Sequence, residues 1–234
     1  LLGTTQTALA KYVLVAAHED APGLSAAHAP QFLRHLLERT DFARDLHFIT
    51  HSTNDTLDYT GLGLHEGSKL IWAAAGEKRR DLGLELTGQA ADLPPLPQGF
   101  GDARVAGPGL LVLRGPRHAL GRNVPDPAME TLADALAHWP GRQAFPLVVV
   151  ADDAAFCARD MDNFLWVAFT RSDPATDVYG ARAQTRAKHW SCEAPLVMDA
   201  RLKPFHAPPL EEDPATTRRV DALAAPGGPL HGYL

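Results

Sequence analysis

The apolar and polar positions of the chain repeat one pattern in two places. The apolar run Val13–Ala17 is followed by polar residues and then by Ala29–Arg39, in which apolar residues recur at helical spacing. The run Leu147–Ala151 is likewise followed by polar residues and by an apolar-periodic segment that contains Trp166. A short apolar run rich in β-branched residues predicts a buried strand, and apolar residues every three to four positions predict a helix. Each place therefore predicts a strand followed by a helix.

Further strands and helices follow from the same reasoning. A helix is predicted from Pro127, because Asp126 before it can cap the helix and Glu130 lies in the first turn. The tail after residue 205 predicts one short helical piece. Alternating strands and helices predict an α/β fold, here two related layered units with largely parallel sheets. The other predicted strands are Asp45–Thr50, Lys69–Ala74, Gly109–Leu113 and Ala194–Ala200.

The two halves of the chain align as a diverged internal duplication. The segment Thr40–Phe48 reads TDFARDLHF and the segment Ser172–Gly180 reads SDPATDVYG, and each has two aspartates four positions apart. A proline-rich stretch without periodicity separates the halves, which is typical of a linker. We therefore predict a first unit at 1–86, a linker at 87–104 and a second, diverged copy with a C-terminal tail at 105–234.

Composition narrows the classes of protein that fit. Apolar residues make up 45% of the 234 residues, which is enough for a substantial core. The formal net charge of −6 leaves no basic surplus for phosphate backbones, so binding to nucleic acid is not predicted. Two cysteines are too few for a disulfide framework and favour a reducing, cytosolic compartment. The opening without Met, almost directly on a strand, predicts a piece of a longer chain.

Paired acids provide the clearest candidate chemistry. Asp152 and Asp153 follow a predicted strand, at the edge where open α/β sheets bind ligands. They could hold a divalent metal as in receiver domains, with Asp199 and Lys203 as a loose echo of the other receiver residues. The alternative is that they cap the next helix and start a turn. Cys157 is either a reactive thiol or a buried packing residue. No metal ligands are predicted among the eleven histidines.

Four motifs, taken in order, carry a resemblance to a known family. They are LLGTTQTALAKYVLV near the start, NDTLDYTGLGLHEGSK at residues 54–69, VVVADDAAFCARDMDNFLWVAFTRSDPATDV at residues 148–178 and PLVMDARLK at residues 195–203. Together they resemble the C-terminal domain of the UbiD family of reversible decarboxylases, which use prenylated flavin mononucleotide. Longer family members, often linked to menaquinone synthesis, carry a second copy of this module. The resemblance therefore accounts for the duplication.

The resemblance implies a function for the longer protein. It implies the C-terminal part of a carboxy-lyase that acts on an aromatic or unsaturated carboxylic acid, with prenylated FMN and a manganese-type divalent metal bound mainly by residues absent here. This part is expected to build a homo-oligomer and to close the active site of an N-terminal flavin-binding domain. A flavin prenyltransferase would supply the cofactor. The expected location is the cytoplasm, with a quinone-precursor substrate as a link to the membrane.

The resemblance also assigns roles to a few residues, none of them catalytic. Lys11 matches a lysine that contacts the cofactor phosphate, whereas a simpler interpretation is a solvated charge beside a strand. Leu57, Asp58 and Tyr59 match a loop on the substrate side, whereas a simpler interpretation is loop anchoring. Ala73 stands where the family has the acid of an Asp-Ala-Thr motif. That departure leaves a non-catalytic assembly module as the alternative function.

Overall fold

Strands and helices alternate along the chain as the apolar pattern predicts. The computed structural model describes residues 2–208 and 212–233. The strands are β1 (Tyr12–Ala16), β2 (Leu46–Ser52), β3 (Gly67–Ala74), β4 (Gly101–Gly107), β5 (Leu110–Arg114), β6 (Leu147–Ala151), β7 (Val178–Arg186) and β8 (His189–Asp199). The α-helices are α1 (Ala29–Arg39), α2 (Pro127–Leu136), α3 (Ala154–Cys157), α4 (Met161–Thr170), α5 (Pro174–Asp177) and α6 (Pro214–Ala224). Short 3-10 turns lie at Thr5–Leu9, His18–Asp20, Gly88–Ala91 and Pro140–Gln143.

The α/β fold with two sheets is confirmed, but the strand directions are mixed. Within the described residues the strand orders are β1-β3-β2 in one sheet and β4-β5-β6-β8-β7 in the other. In the larger sheet the inner pairs β5–β6 and β6–β8 are parallel, and both outer pairs are antiparallel. In the smaller sheet β1–β3 is parallel and β2–β3 is antiparallel. The prediction of largely parallel sheets is thus wrong for the outer strands, because tight turns join β4 to β5 and β7 to β8, and a tight turn allows only antiparallel pairing.

The two sheets contain the same strand topology, which supports the duplication. The first repeat, β1-α1-β2-β3, and the second repeat, β6-α4-β7-β8, both place their last strand in the middle, parallel to the first strand and antiparallel to the second. Registers agree as well, because Val15 pairs with Ala73 in one repeat and Val150 pairs with Asp199 in the other. Ala73 therefore occupies the position that Asp199 holds in the second repeat.

The aspartates four positions apart form the same hydrogen bonds in both repeats. The backbone N–H of Asp41 donates to the carboxylate of Asp45 at 2.8 Å, and the backbone N–H of Asp173 donates to that of Asp177 at 2.6 Å. In each repeat the second aspartate also donates its own backbone N–H to the carbonyl of the first, at 2.8 Å. The motif therefore closes the turn that leads into β2 and β7.

One apolar cluster joins the two repeats. It contains Leu37 and Trp72 of the first repeat together with Val149 and Met198 of the second. The backbone is also linked, because the N–H of Cys192 donates to the carbonyl of Phe42 at 3.2 Å. The repeats are therefore packed as one body along a common core.

The segment 87–104, predicted to be a linker, is packed rather than free. Its residues Leu93 and Leu96 lie against the second apolar cluster, and Gly101 begins β4. Prolines explain the irregular backbone of this segment, since they remove N–H donors, while its leucines still bury apolar area. The unit boundaries at 86 and 105 stay a prediction.

The last helix lies outside the core. Asp213 caps α6 by accepting from the backbone N–H groups of Ala215 and Thr216, and none of the helix residues is buried. The predicted helical piece of the tail is confirmed. Among residues 2–208 and 212–233 no helix is both long and apolar enough to cross a membrane.

Candidate functional site

Lys11 and Asp58, two of the predicted site residues, form a buried ion pair. The Lys11 ammonium lies 3.0 Å from the Asp58 carboxylate and donates to the Thr60 hydroxyl at 2.9 Å. The two charged side chains are only 10% and 12% exposed. Burial lowers the pKa of Lys11 more than the nearby carboxylates raise it. Burial alone would raise the pKa of Asp58, but Lys11 and the hydrogen bonds from Thr60 hold it below its ordinary value. The interpretation of Lys11 as a solvated charge is therefore wrong.

A second lysine holds the loop that carries Asp58. The Lys69 ammonium in β3 is buried and donates to the backbone carbonyls of Ala10 at 3.0 Å and Thr53 at 2.8 Å. These bonds tie the start of β1 to the start of the loop. The loop then presents Leu57 to solvent, with 78% of its surface exposed, and Tyr59 beside it. Anchoring comes from Lys69 and Asp58, so Leu57 and Tyr59 remain available for contact with a ligand.

Clefts beside the loop are completed by the second repeat. One cleft of about 430 Å³ lies between Leu57 and Tyr59 on one side and Trp166, Arg171 and His206 on the other. The Arg171 guanidinium lies over the Trp166 ring, 5.0 Å from its centre. An adjoining cleft of about 380 Å³ runs from Lys11 and Asp58 to Phe169 and Thr170 of α4. The predicted site residues are thus brought together at the contact between the repeats.

Arg122 is a site residue that the sequence does not reveal. Its guanidinium donates to the carbonyls of Tyr59 at 2.9 Å, Gly61 at 2.6 Å and Phe205 at 3.3 Å. It also lies over the Phe205 ring, 4.5 Å from its centre. One side chain therefore connects the Leu57–Tyr59 loop to the segment after β8. No local pattern marks such a residue, because its partners are about sixty and eighty positions away.

His206 lies among several cationic side chains of the site. Its Nδ1 accepts from the backbone N–H of Lys203 at 3.3 Å, and its Nε2 is buried without a partner among the described residues. Burial, and then the charges of Lys203, Lys11 and Arg171, lower the pKa of His206 to about 3. The imidazole is therefore neutral at physiological pH and keeps one N–H donor that no described side chain uses.

Replacing His206 with glutamine is expected to make the protein more tolerant of mild acid. Between pH 6.5 and about 3 the unfolded chain protonates this histidine whereas the folded protein does not, so stability falls as the pH is lowered through this interval. His206→Gln removes that contribution. Urea unfolding at pH 7 and at pH 4.5 measures the difference, and His231→Gln in the exposed tail is the matched control. An equal loss of stability in wild type and His206→Gln would contradict the assignment.

A buried ionic network fixes the end of β8. Arg201 is 1% exposed and donates to Asp199 at 2.8 and 2.7 Å and to Asp126 at 2.6 Å. His118, Asp126 and Asp199 lie close enough to share a metal ion. Because the Arg201 guanidinium already bonds both carboxylates, their charge is largely compensated. This donor set therefore does not fit a divalent metal, and Asp126 caps α2 as predicted, accepting from the backbone N–H of Ala128.

The acids Asp152 and Asp153 serve as a turn anchor and a helix cap. Asp153 accepts from the backbone N–H of Phe156 at 2.9 Å as the cap of α3. Asp152 accepts from the backbone N–H of Leu202 at 2.6 Å and lies 3.5 Å from Arg171. The interpretation as cap and turn is confirmed, and the receiver-like metal site loses its two main ligands to protein donors.

Both cysteines are buried packing residues. Neither Cys157 nor Cys192 forms a disulfide. Burial raises the pKa of each thiol to about 12, so the thiolate is absent at neutral pH. The interpretation of Cys157 as an inert core residue is therefore confirmed.

Comparison with known families identifies the first part of the chain. A family profile described as the 3-octaprenyl-4-hydroxybenzoate carboxy-lyase C-terminal domain, UbiD_C, matches residues 1–74. Residues 1–74 are a UbiD C-terminal domain. The match covers the first repeat, including Lys11 and the Leu57–Tyr59 loop. The resemblance drawn from the motifs is thus confirmed for this repeat.

Relatives of the UbiD domain extend over nearly the whole chain. The chain is 32% identical over 222 residues to an uncharacterised protein of Chlamydia trachomatis, covering 95% of the chain and 35% of the relative. It is 29% identical over 228 residues to a Chlamydia pneumoniae protein whose name makes it one subunit of a 4-hydroxybenzoate decarboxylase, covering 94% of the chain and 34% of the relative. The chain therefore spans about a third of the length of the curated relatives it matches.

A solved structure shows a remote likeness. It is the vanillic acid decarboxylase of Sedimentibacter hydroxybenzoicus in an open form, with a TM-score of 0.33 and 13% identity. The alignment covers 76% of this chain and 45% of that one.

Proposed function

We propose that this chain is the C-terminal part of a UbiD-like carboxy-lyase that decarboxylates an aromatic or unsaturated carboxylic acid in the cytoplasm. In that protein the chain helps to build a homo-oligomer and closes the active site of an N-terminal flavin-binding domain. The observation that carries the proposal is the buried Lys11–Asp58 pair below an exposed Leu57, within a UbiD C-terminal domain. A charge, an anchored loop and an apolar tip then face one side of the molecule together.

Lys11 is suited to hold the phosphate of prenylated FMN. An ammonium has three N–H donors, and Asp58 and Thr60 accept two of them in the described structure. The third donor and the positive charge fit a phosphate oxygen. When bound, the cofactor supplies the electron sink for the loss of carbon dioxide. The described donor set offers no free site for the divalent metal, so residues outside this chain would bind it.

The cleft between Leu57 and Trp166 is suited to the substrate side. Leu57, Tyr59 and Trp166 provide apolar surface, and Arg171 provides the positive charge that a carboxylate needs. The buried Nε2–H of His206 lies on the same side of the site. An aromatic acid, such as a precursor of menaquinone, combines these two characters. Closure of the Leu57–Tyr59 loop over it would exclude water from the reacting carboxylate.

Substitution of Lys11 tests the role in cofactor binding. The full-length protein, made together with a flavin prenyltransferase, is expected to bind prenylated FMN about tenfold more weakly in Lys11→Gln, since a charge-assisted hydrogen bond contributes about 1.5–3 kcal/mol. Lys78→Gln is the matched control, because Lys78 lies on the surface away from the site. The measurement is retained flavin absorbance after gel filtration, with thermal unfolding to show that Lys11→Gln folds. Unchanged retention in folded Lys11→Gln would refute the role.

Release of carbon dioxide from a panel of aryl and unsaturated acids then tests the reaction itself. Turnover by the flavin-loaded wild type is expected. A protein that binds the cofactor and assembles but releases no carbon dioxide from any acid would instead be the non-catalytic assembly module.

A further inference from the structure

A separate cleft lies on another side of the contact between the repeats. It measures about 460 Å³, a volume within the usual range for small-molecule sites. One wall is the edge strand β2, with His47, Phe48 and Thr50, and the other is the β7–β8 hairpin, with Lys188, His189 and Trp190. Since neither repeat has both walls, the cleft exists only when the repeats are packed together.

The interior of this cleft is aromatic. The rings of Phe48 and Trp190 meet edge to face with their centres 5.2 Å apart. Both side chains are only partly buried, so their free surfaces line the cleft. An indole and a phenyl ring at right angles form a corner that favours a flat apolar body of one or two rings.

The rim of the cleft favours negative charge. It carries the Lys188 ammonium and the imidazoles of His47 and His189, whose ring centres lie 5.6 Å apart. The ring Nε2 of His189 lies 3.2 Å from the Ala43 carbonyl, and donation there leaves Nδ1 for other contacts. Among the described residues that line the cleft there is no aspartate or glutamate, although acids outnumber bases in the chain.

The backbone that carries Lys188 is in an uncommon conformation. Ala187 and Lys188 form the two-residue turn of the hairpin, with φ of 47° and 66°, and the pair Arg186–His189 closes it. Turns of this type favour asparagine and glycine, because a side chain is disfavoured at positive φ. Lysine therefore does not improve the turn geometry. What it adds is an exposed ammonium at the mouth of the cleft.

We propose that this cleft binds a small amphipathic organic anion, with an aromatic ring against Phe48 and Trp190 and a carboxylate at Lys188. The ring surface and the cation are the two complementary features that such a molecule requires. The proposal does not depend on the decarboxylase function, because it uses none of the residues around Lys11.

Calorimetry with 2-naphthoate as the probe tests the proposal. A dissociation constant below about 1 mM is expected for the wild-type protein, given about 0.3 kcal/mol for each heavy atom of an ordinary ligand. Lys188→Gln should weaken 2-naphthoate about tenfold and leave the uncharged 2-naphthamide unaffected, because it removes only the ion pair. Arg219→Gln on the exposed helix α6 is the matched control and should change neither ligand.

A second pair of variants locates the bound probe. Trp190→Leu should weaken both ligands, whereas Trp166→Leu, in the cleft beside Leu57, should not. Unfolding temperatures show that the variants are folded. No binding by the wild type, equal affinity in Lys188→Gln, or loss of binding only in Trp166→Leu would each overturn the proposal.

Discussion

Replacing Arg201 with leucine is expected to lower the free energy of unfolding by about 3–5 kcal/mol. The guanidinium is almost completely buried and bonds the carboxylates of Asp199 and Asp126, and it also donates to the Pro116 carbonyl at 3.0 Å. Without it, two acids are left in the interior with no compensating charge. Removing one partner of a buried pair is more harmful than replacing both, because the charge left behind has lost its water.

Urea unfolding of Arg201→Leu and two further variants measures this effect. Arg182→Leu breaks an exposed pair with Glu193, in which both side chains are about half exposed, and should cost less than about 1 kcal/mol. The double variant Arg201→Leu with Asp199→Leu should recover part of the loss. A loss in Arg201→Leu no larger than that in Arg182→Leu would show that the network is not a stabilising element.

Replacing Trp72 with alanine is expected to lower the free energy of unfolding by about 3–5 kcal/mol. The indole is fully buried in β3 and packs against Phe42, and its N–H donates to the Thr40 hydroxyl at 2.8 Å. Because the same apolar cluster contains Val149 of the second repeat, both repeats should lose stability together. A single unfolding transition at a lower urea concentration is the expected result.

Two probes on the same sample test this coupling. Far-ultraviolet circular dichroism follows all of the secondary structure. Tryptophan fluorescence follows the second half alone, because Trp139, Trp166 and Trp190 are the tryptophans that remain in Trp72→Ala. Trp166→Ala, where the side chain is 52% exposed, is the control and should cost far less. Two separate transitions in Trp72→Ala would mean that the repeats fold independently.

Local patterns in the sequence predict most of the elements and the duplication. The helix Ala29–Arg39 has the bounds that its periodicity indicates, and the strand Leu147–Ala151 is an uninterrupted apolar run. Asp126 and Asp153 are caps because short acidic side chains can reach the free N–H groups that follow them. Such features depend on neighbours within a few residues. Strand direction at the sheet edges is not predicted correctly, because it depends on which strands meet in space.

The candidate site is less accessible from the sequence. Resemblance to the UbiD family selects Lys11 and the Leu57–Tyr59 loop, but the ion pair with Asp58 joins residues 47 positions apart. Arg122 and His206 act through distant backbone carbonyls and buried cations, and neither lies in a motif. These contacts follow from the packing of one repeat on the other, which no local pattern encodes.

The common apolar cluster has a practical corollary for protein production. A polypeptide that stops near residue 86 would expose the side of Trp72 and Leu37 that the other repeat now covers. Large uncovered apolar areas promote aggregation. Recombinant work on this molecule should therefore keep both halves on one translated polypeptide, and poor solubility of a shortened version would report on the cut rather than on the natural protein.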